Sequence, residues 1–192
     1  METKTASLWE TNQKMYILYC TIAGFISVWA ISGLLVLVDY ISGTPSGTFF
    51  TVIGLSLGIN EPATAQFVGL GLHLLTGTVA GNIYGQISVF WRKFAPNSFR
   101  HGIKTGLMVG VALWIILFVP LATFGIQPKL DSFVIFAPNQ YIFEISSHFQ
   151  GLYPVIILGS LAFHLLYGSL LGFLAGRMTE LGTFVGGKKP IL

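Results

Sequence analysis

The sequence predicts an all-α membrane protein, a transmembrane helical bundle with four spans arranged as two parallel two-span repeats. Three observations support this prediction. Of the 192 residues, 53% are hydrophobic and only 9% are charged, whereas a soluble domain carries about 25% charged residues. Four long stretches lack Asp, Glu, Lys and Arg, and two 13-residue stretches align without a gap. The composition therefore excludes both a soluble monomer and a disordered chain.

The four charge-free stretches determine the predicted spans. They contain 24, 30, 24 and 32 residues, and a helix needs about 20 apolar residues to cross the hydrocarbon core. The predicted spans are residues 15–38, 66–91, 104–126 and 153–176.

Two long apolar connections, residues 40–61 and 129–152, join the predicted spans on one side of the membrane. The first contains the run Phe49 to Ile59, which is too short to cross and is predicted to be re-entrant or interfacial. Loops this apolar are not expected to face water. We expect them to lie in the interface, to fold over the bundle, or to bury against another subunit.

The basic residues predict the orientation. With four crossings, nine of the ten Lys and Arg residues fall on one side of the membrane, and only Lys129 falls on the other. Cytoplasmic loops carry such an excess. We therefore expect one membrane domain over residues 1–192 in the cell membrane, with cytoplasmic tails at 1–14 and 177–192. Because membrane orientation accounts for the positive charge, no nucleic-acid partner is expected.

A duplicated stretch divides the chain into two halves. Residues 73–85 and 164–176 align without a gap, and six of their positions are identical: one His, two Leu and three Gly. We therefore predict repeats over 15–91 and 104–176. Each repeat has an even number of spans, so the two share one orientation and are related by an axis along the membrane normal.

The first spans of the two halves match more weakly than the second spans. Gly24 and Trp29 correspond to Gly110 and Trp114, with a slip of one residue.

Glycines recur every four residues in the duplicated stretch, which places them on one ridge of each helix. Small residues let helix backbones approach closely in lipid, where helices have little hydrophobic drive to associate. We predict a helix-packing face, and the alternative is a backbone cleft for a ligand or a lipid tail. These glycines are Gly77, Gly81, Gly85, Gly168, Gly172 and Gly176.

His73 and His164 are the ionisable side chains that lie well inside the predicted spans, at one predicted depth. Such residues are costly in lipid and are candidates for function. One interpretation is a neutral imidazole that is hydrogen-bonded to Thr76, Ser160 or a carbonyl. Another is a pair of axial ligands for haem b, which would be the cofactor. A copper or zinc site is a third interpretation, although two imidazoles do not complete the usual ligand set.

No catalytic residue set is recognisable, so we expect no catalysis by this chain alone. The motif His-Leu-Leu-x-Gly-x3-Gly-x3-Gly resembles the spans of uncharacterised small four-span membrane proteins that are rich in His and Gly. In overall character the chain also resembles the accessory subunits of archaeal membrane monooxygenases such as ammonia monooxygenase. That resemblance carries over no functional residue.

The function that we predict is a non-catalytic accessory or structural subunit in the lipid bilayer, with membrane protein partners or as a homo-oligomer. One alternative is a b-haem electron-transfer subunit. The other is a small-solute channel or transporter, in which Asn82 and Gln86 would line a pore. Ion-coupled transporters usually place a carboxylate near mid-membrane, and no predicted span contains one.

Overall fold

The described residues form an all-α protein, as predicted. The computed structural model describes residues 2–185, with side chains described for residues 13–181, and no strand occurs among them. A 3₁₀ turn covers Arg92–Phe94, and π-helical segments cover Trp114–Phe118 and Leu121–Ile126. The helices are α1 (Glu2–Ser42), α2 (Thr48–Ser56), α3 (Pro62–Phe90), α4 (Phe99–Leu113), α5 (Gln127–Phe136) and α6 (Gln140–Val185).

Four helical stretches are long and apolar enough to cross a membrane, which confirms the predicted number of spans and the membrane class. They are Gln13–Ser42, Pro62–Phe90, Phe99–Phe136 and Gln140–Leu181. The third combines α4, both π-helical segments and α5, which continue one another without a break. Pro120 lies between the π-helical segments, where altered hydrogen bonding accommodates its missing N–H.

The prediction that residues 129–152 form an outer loop is wrong. These residues belong to α5 and α6, and the connection between the two helices contains only residues 137–139. The error has a physical cause, because charged residues such as Lys129 and Glu144 end the hydrocarbon-embedded part of a helix without ending its hydrogen bonding. Likewise, the predicted tail at 1–14 is helical from Glu2, and the tail at 177–192 is helical to Val185, beyond which it lies outside the described residues.

The chain divides into two compact units, and each transmembrane helix contributes a segment to both. Unit 1 contains residues 1–28, 76–111 and 165–192, and unit 2 contains residues 29–75 and 112–164. Each unit therefore takes segments from both predicted repeats.

In unit 2, the predicted re-entrant or interfacial run is the short helix α2, and protein covers much of it. Phe50, Val52 and Leu55 are at most 2% exposed. Gly54 and Gly69 allow the backbones of α2 and α3 to approach, since a Cβ on Gly54 would overlap Ala65 and one on Gly69 would overlap the Phe50 carbonyl. The core of unit 2 consists of Val52, Leu55, Ala65, Ile126, Leu130, Phe133, Ile142 and Ile145.

A buried carboxylate holds the start of α2. Asp39 Oδ2 accepts hydrogen bonds from the N–H groups of Gly47 (2.8 Å) and Thr48 (3.1 Å), and Thr44 Oγ1 donates to Oδ1 at 3.3 Å. Gly47 has a φ of 85°, which favours glycine over any residue with a Cβ. Asp39 thus satisfies N–H groups at the start of the helix that have no partner within it.

The start of α3 is held in a similar way. Glu61 accepts hydrogen bonds from the N–H groups of Ala63 (3.0 Å) and Thr64 (2.6 Å). Hydrogen bonding by the Thr64 side chain, followed by these backbone bonds, lowers the pKa of the Glu61 carboxyl.

In unit 1, α1 and α3 approach each other along the glycine ridge of α3. A Cβ on Gly24 would lie 2.9 Å from the Cα of Gly81, and a Cβ on Gly85 would lie 2.7 Å from the Cα of Ile17. Gly77 faces the side chain of Val28. Beside this contact, Asn82 Nδ2 donates to Thr21 Oγ1 at 3.0 Å.

The segments of α4 and α6 in unit 1 meet in the same manner, with glycines on both helices. A Cβ on Gly106 would lie 3.0 Å from the Cα of Gly172, and one on Gly176 would lie 2.8 Å from the Cα of Phe99. A Cβ on Gly168 or Gly172 would overlap a carbonyl of α4. The α4 part of this contact, Gly102 and Gly106, was not among the glycines predicted to pack.

These contacts show how the first spans of the two halves use their glycines. Gly24 meets Gly77 and Gly81, and Gly106 meets their counterparts Gly168 and Gly172. A Cβ on Gly168 would also lie 3.0 Å from the backbone nitrogen of Gly110, the residue that the sequence match pairs with Gly24. Because α4 carries glycine every four residues, a weak sequence match does not distinguish one of its turns from the next.

We expect leucine at Gly81 or Gly172 to destabilise the bundle, because the added side chain would occupy the position of a neighbouring backbone. Overpacking costs about 1–3 kcal/mol. The measurement is the free energy of unfolding of each variant in mixed micelles. Gly71→Leu and Gly159→Leu are matched controls on the same two helices, since no atom lies within 4 Å of a Cβ at either position. Equal stability of all four variants would contradict the packing role of the ridge.

Candidate functional site

The two candidate histidines both belong to unit 2 and continue the glycine ridges of their helices. His73 lies four residues after Gly69 and four before Gly77, and His164 lies four residues before Gly168. Positions four apart share one face of a helix. In unit 2, each imidazole packs against phenylalanine rings from neighbouring segments.

Two rings from α2 pack against His73. The centroids of Phe49 and Phe50 lie 5.8 and 5.5 Å from that of the imidazole, with interplanar angles of 82° and 49°. The Nε2 atom of His73 is buried and has no hydrogen-bond partner. An unsatisfied buried polar atom costs about 1–3 kcal/mol, and among the described residues the hydroxyls of Ser27 and Ser146 share this state with His73 Nε2.

A backbone carbonyl holds His164 in one tautomer. The Nδ1 atom lies 2.8 Å from the carbonyl oxygen of Ser160, one turn earlier in the same helix. A carbonyl oxygen only accepts, so Nδ1 carries the proton and donates. In the neutral imidazole, Nε2 is then unprotonated, with a lone pair directed outward from the ring.

The first π-helical segment positions two side chains beside His164. Phe118 packs on the imidazole with its centroid 5.2 Å away and an interplanar angle of 55°. Trp114 Nε1 donates to Ser160 Oγ at 2.9 Å and to the Ile157 carbonyl at 3.2 Å. The segment thus places the Phe118 ring against His164. Through Trp114 it also holds the turn of α6 whose Ser160 carbonyl accepts the hydrogen bond from His164 Nδ1.

The surroundings of the two histidines adjoin each other within unit 2. Phe49, which contacts His73, and Phe118, which contacts His164, line one apolar recess together with Ala122, Phe149 and Tyr153. The structure therefore places one phenylalanine neighbour of each histidine at the same recess.

The donor set limits the chemistry of this site. Among the described residues, no third His, Cys, Asp or Glu joins the pair in a group of metal-ligand type. His148 is exposed, and His101 Nε2 lies 2.9 Å from the Lys93 carbonyl, in unit 1. The two histidines offer imidazole nitrogens among phenyl rings.

A porphyrin does not fit the pair as the rings are packed. Axial ligation requires an open slot beside each coordinating nitrogen, and His73 Nε2 is enclosed. The geometry of the two histidines therefore supports no function through haem.

Sequence reasoning missed the aromatic residues of the site. In the sequence, Phe49 and Phe50 belong to an apolar connection between spans, and Phe118 is one of many apolar residues in a span. No periodic pattern separates them from lipid-facing residues, because ring contacts with an imidazole depend on how α2 and the π-helical segment fold.

No protein-family model, no curated protein and no solved structure matches this chain.

We expect the Trp114 indole and the Ser160 hydroxyl to be energetically coupled. Trp114→Phe and Ser160→Ala each remove one partner of the 2.9 Å bond, and a double-mutant cycle on the free energy of unfolding isolates their interaction. We expect a coupling energy of about 0.5–1.5 kcal/mol, as for hydrogen bonds between membrane helices. Strict additivity would show that the bond contributes nothing.

Proposed function

We propose that this chain is a non-catalytic subunit of a larger membrane complex, in which it lies in the cell membrane with both termini in the cytoplasm. The observation that carries the proposal is the apolar surface at the ends of helices in unit 2. Ile135 and Phe136 are 72% and 79% exposed. Other exposed apolar residues near helix ends in this unit are Tyr40, Ile41, Leu57 and Phe143.

Helix length supports placing much of this surface outside the hydrocarbon. The helical stretch Phe99–Phe136 contains 38 residues, about 57 Å at 1.5 Å per residue, whereas the hydrocarbon core is about 30 Å thick. Its charge-free part ends at Lys129, so Ile135 and Phe136 follow the residues that mark the membrane edge. Large apolar side chains exposed there are typical of an interaction surface.

The duplication supports a scaffold role. The two halves use matching glycine positions for their helix contacts, and we propose that they arose as repeats over 15–91 and 104–176. Such a pair provides two similar helix hairpins for lateral packing. The resemblance to accessory subunits of archaeal monooxygenases points in the same direction and stays a prediction.

We expect Ile135→Ala/Phe136→Ala to release the chain from its complex without unfolding it. Native mass spectrometry after mild solubilisation should show the wild type bound to a chain of different mass, and the double variant as a single chain of 20.9 kDa. The control is Val155→Ala/Leu158→Ala, which truncates two side chains, 64% and 69% exposed, within α6. A wild-type mass equal to one chain, or to a multiple of it, would contradict the proposal.

The orientation has its own test. In a Cys20→Ser background, we expect Ser132→Cys to react with a membrane-impermeant maleimide added to intact cells, because this exposed residue lies on the predicted outer side. Asn12→Cys should react only after the cells are opened. The reverse pattern, or labelling of both in intact cells, would contradict a cytoplasmic N-terminus.

A further inference from the structure

We infer that a basic surface of unit 1, formed by Arg100, Lys104 and Arg177, binds the headgroup of an anionic phospholipid. The inference goes beyond the proposed subunit role and begins from the charge of this unit. Among its described side chains, six are Lys or Arg and one, Glu180, is acidic. Such an excess of one sign attracts ligands of the opposite sign.

Two of the three cations lie over one aromatic ring. The guanidinium carbons of Arg100 and Arg177 lie 5.7 and 5.8 Å from the centroid of Phe99, so no more than the sum of these distances separates them. Arg100 belongs to α4 and Arg177 to α6, and both are exposed. Lys104 is also exposed and lies four residues after Arg100, on the same face of α4. Three cations from two helices therefore share one surface.

The acidic residue of this region does not neutralise the surface. Glu180 Oε2 accepts a hydrogen bond from Arg177 Nη1 at 3.0 Å, and Glu180 Oε1 accepts one from the N–H of Phe99 at 3.0 Å. One carboxylate beside three cations leaves a net positive charge. The two guanidinium groups at the Phe99 ring also repel each other, and a phosphate that contacts both would relieve the repulsion. Guanidinium matches the geometry of phosphate through two parallel hydrogen bonds.

The cations lie at the level expected of lipid headgroups. Lys104 directly precedes one charge-free stretch, and Arg177 directly follows another. Because such stretches fill the hydrocarbon core, the charges that end them lie at its edge. Clusters of Lys and Arg at this edge are typical of proteins that bind anionic lipids.

Exposed aromatic rings adjoin the basic surface. Phe90 and Trp91, at the end of α3, are 79% and 58% exposed, and Trp is enriched where membrane meets water. The 3₁₀ turn that follows is joined to α4, since His101 Nε2 lies 2.9 Å from the Lys93 carbonyl oxygen. A ligand with acyl chains beside its negative charge fits cations and rings together, which favours a lipid over an acidic protein segment.

The test is a titration of the full chain in a mild detergent with phosphatidylglycerol, in which native mass spectrometry counts the lipids bound per chain. We expect phosphatidylglycerol to bind more tightly than phosphatidylcholine. Its affinity should fall about fivefold in Arg100→Gln and in Lys104→Gln, which is the contribution of one Lys or Arg near an anionic lipid. Both residues are exposed on α4, so that their replacement should leave the helix contacts intact.

Lys129→Gln is the matched control. It removes one positive charge that also lies over a phenyl ring, 4.8 Å from the centroid of Phe133, but in unit 2. Its loss should leave the affinity for phosphatidylglycerol unchanged.

A measurement on the unsubstituted chain keeps the inference testable if the variants fold poorly. The affinity for phosphatidylglycerol should fall as salt is raised, because salt screens contacts between exposed charges. Equal affinity for the two lipids, or unchanged affinity in both α4 variants, would overturn the inference. Binding of a glutamate-rich peptide that depends on Arg100, without any preference for phosphatidylglycerol, would assign the surface to a protein partner instead.

Discussion

Close approach of helix backbones is the interaction on which the rest of this structure depends. In lipid, burying one apolar side chain against another gains little, so helices associate through dispersion contacts and weak Cα–H bonds that require small residues. In unit 1, α1 meets α3 and α4 meets α6 at glycines where a Cβ would lie 3.0 Å or less from a neighbouring backbone atom. These contacts set the separation of the two backbones within each pair.

The glycine ridges also explain how two imidazoles are accommodated within long apolar helices. Because His73 and His164 share a ridge with the glycines, each lies on the face of its helix that is turned toward protein. At the two histidines the contacts of that ridge are with rings, Phe49 and Phe50 on one imidazole and Phe118 on the other. A residue on the opposite face, such as Val79 at 45% exposure, would place the same imidazole toward lipid.

The sequence was sufficient for properties that composition and spacing record directly. The lengths of the stretches without charged residues predict four spans. The recurrence of small residues and histidine every four positions predicts that Gly81 and Gly172 share a ridge with the histidines. It was insufficient where the outcome depends on several segments at once. Burial of α2 requires both Gly69 and the Asp39 carboxylate, which are far apart along the chain. The helical continuation past Lys129 leaves no mark in hydropathy, since a helix ends where its hydrogen bonds end and not where its charge begins.

The duplicated histidines are chemically different, and the difference follows from the segments that cover them. His164 is covered by a π-helical segment, whose Trp114 also bonds the turn of α6 that supplies the Ser160 carbonyl. His73 is covered by α2, a separate short helix anchored through Asp39, and the buried Nε2 of its ring has no partner. The Ser160 carbonyl thus fixes the tautomer of one ring, whereas the other ring has a nitrogen that is enclosed without a partner. Two copies of one sequence pattern therefore acquire different chemistry, because the segments that cover them, a π-helical segment and a separate short helix, differ between the two halves.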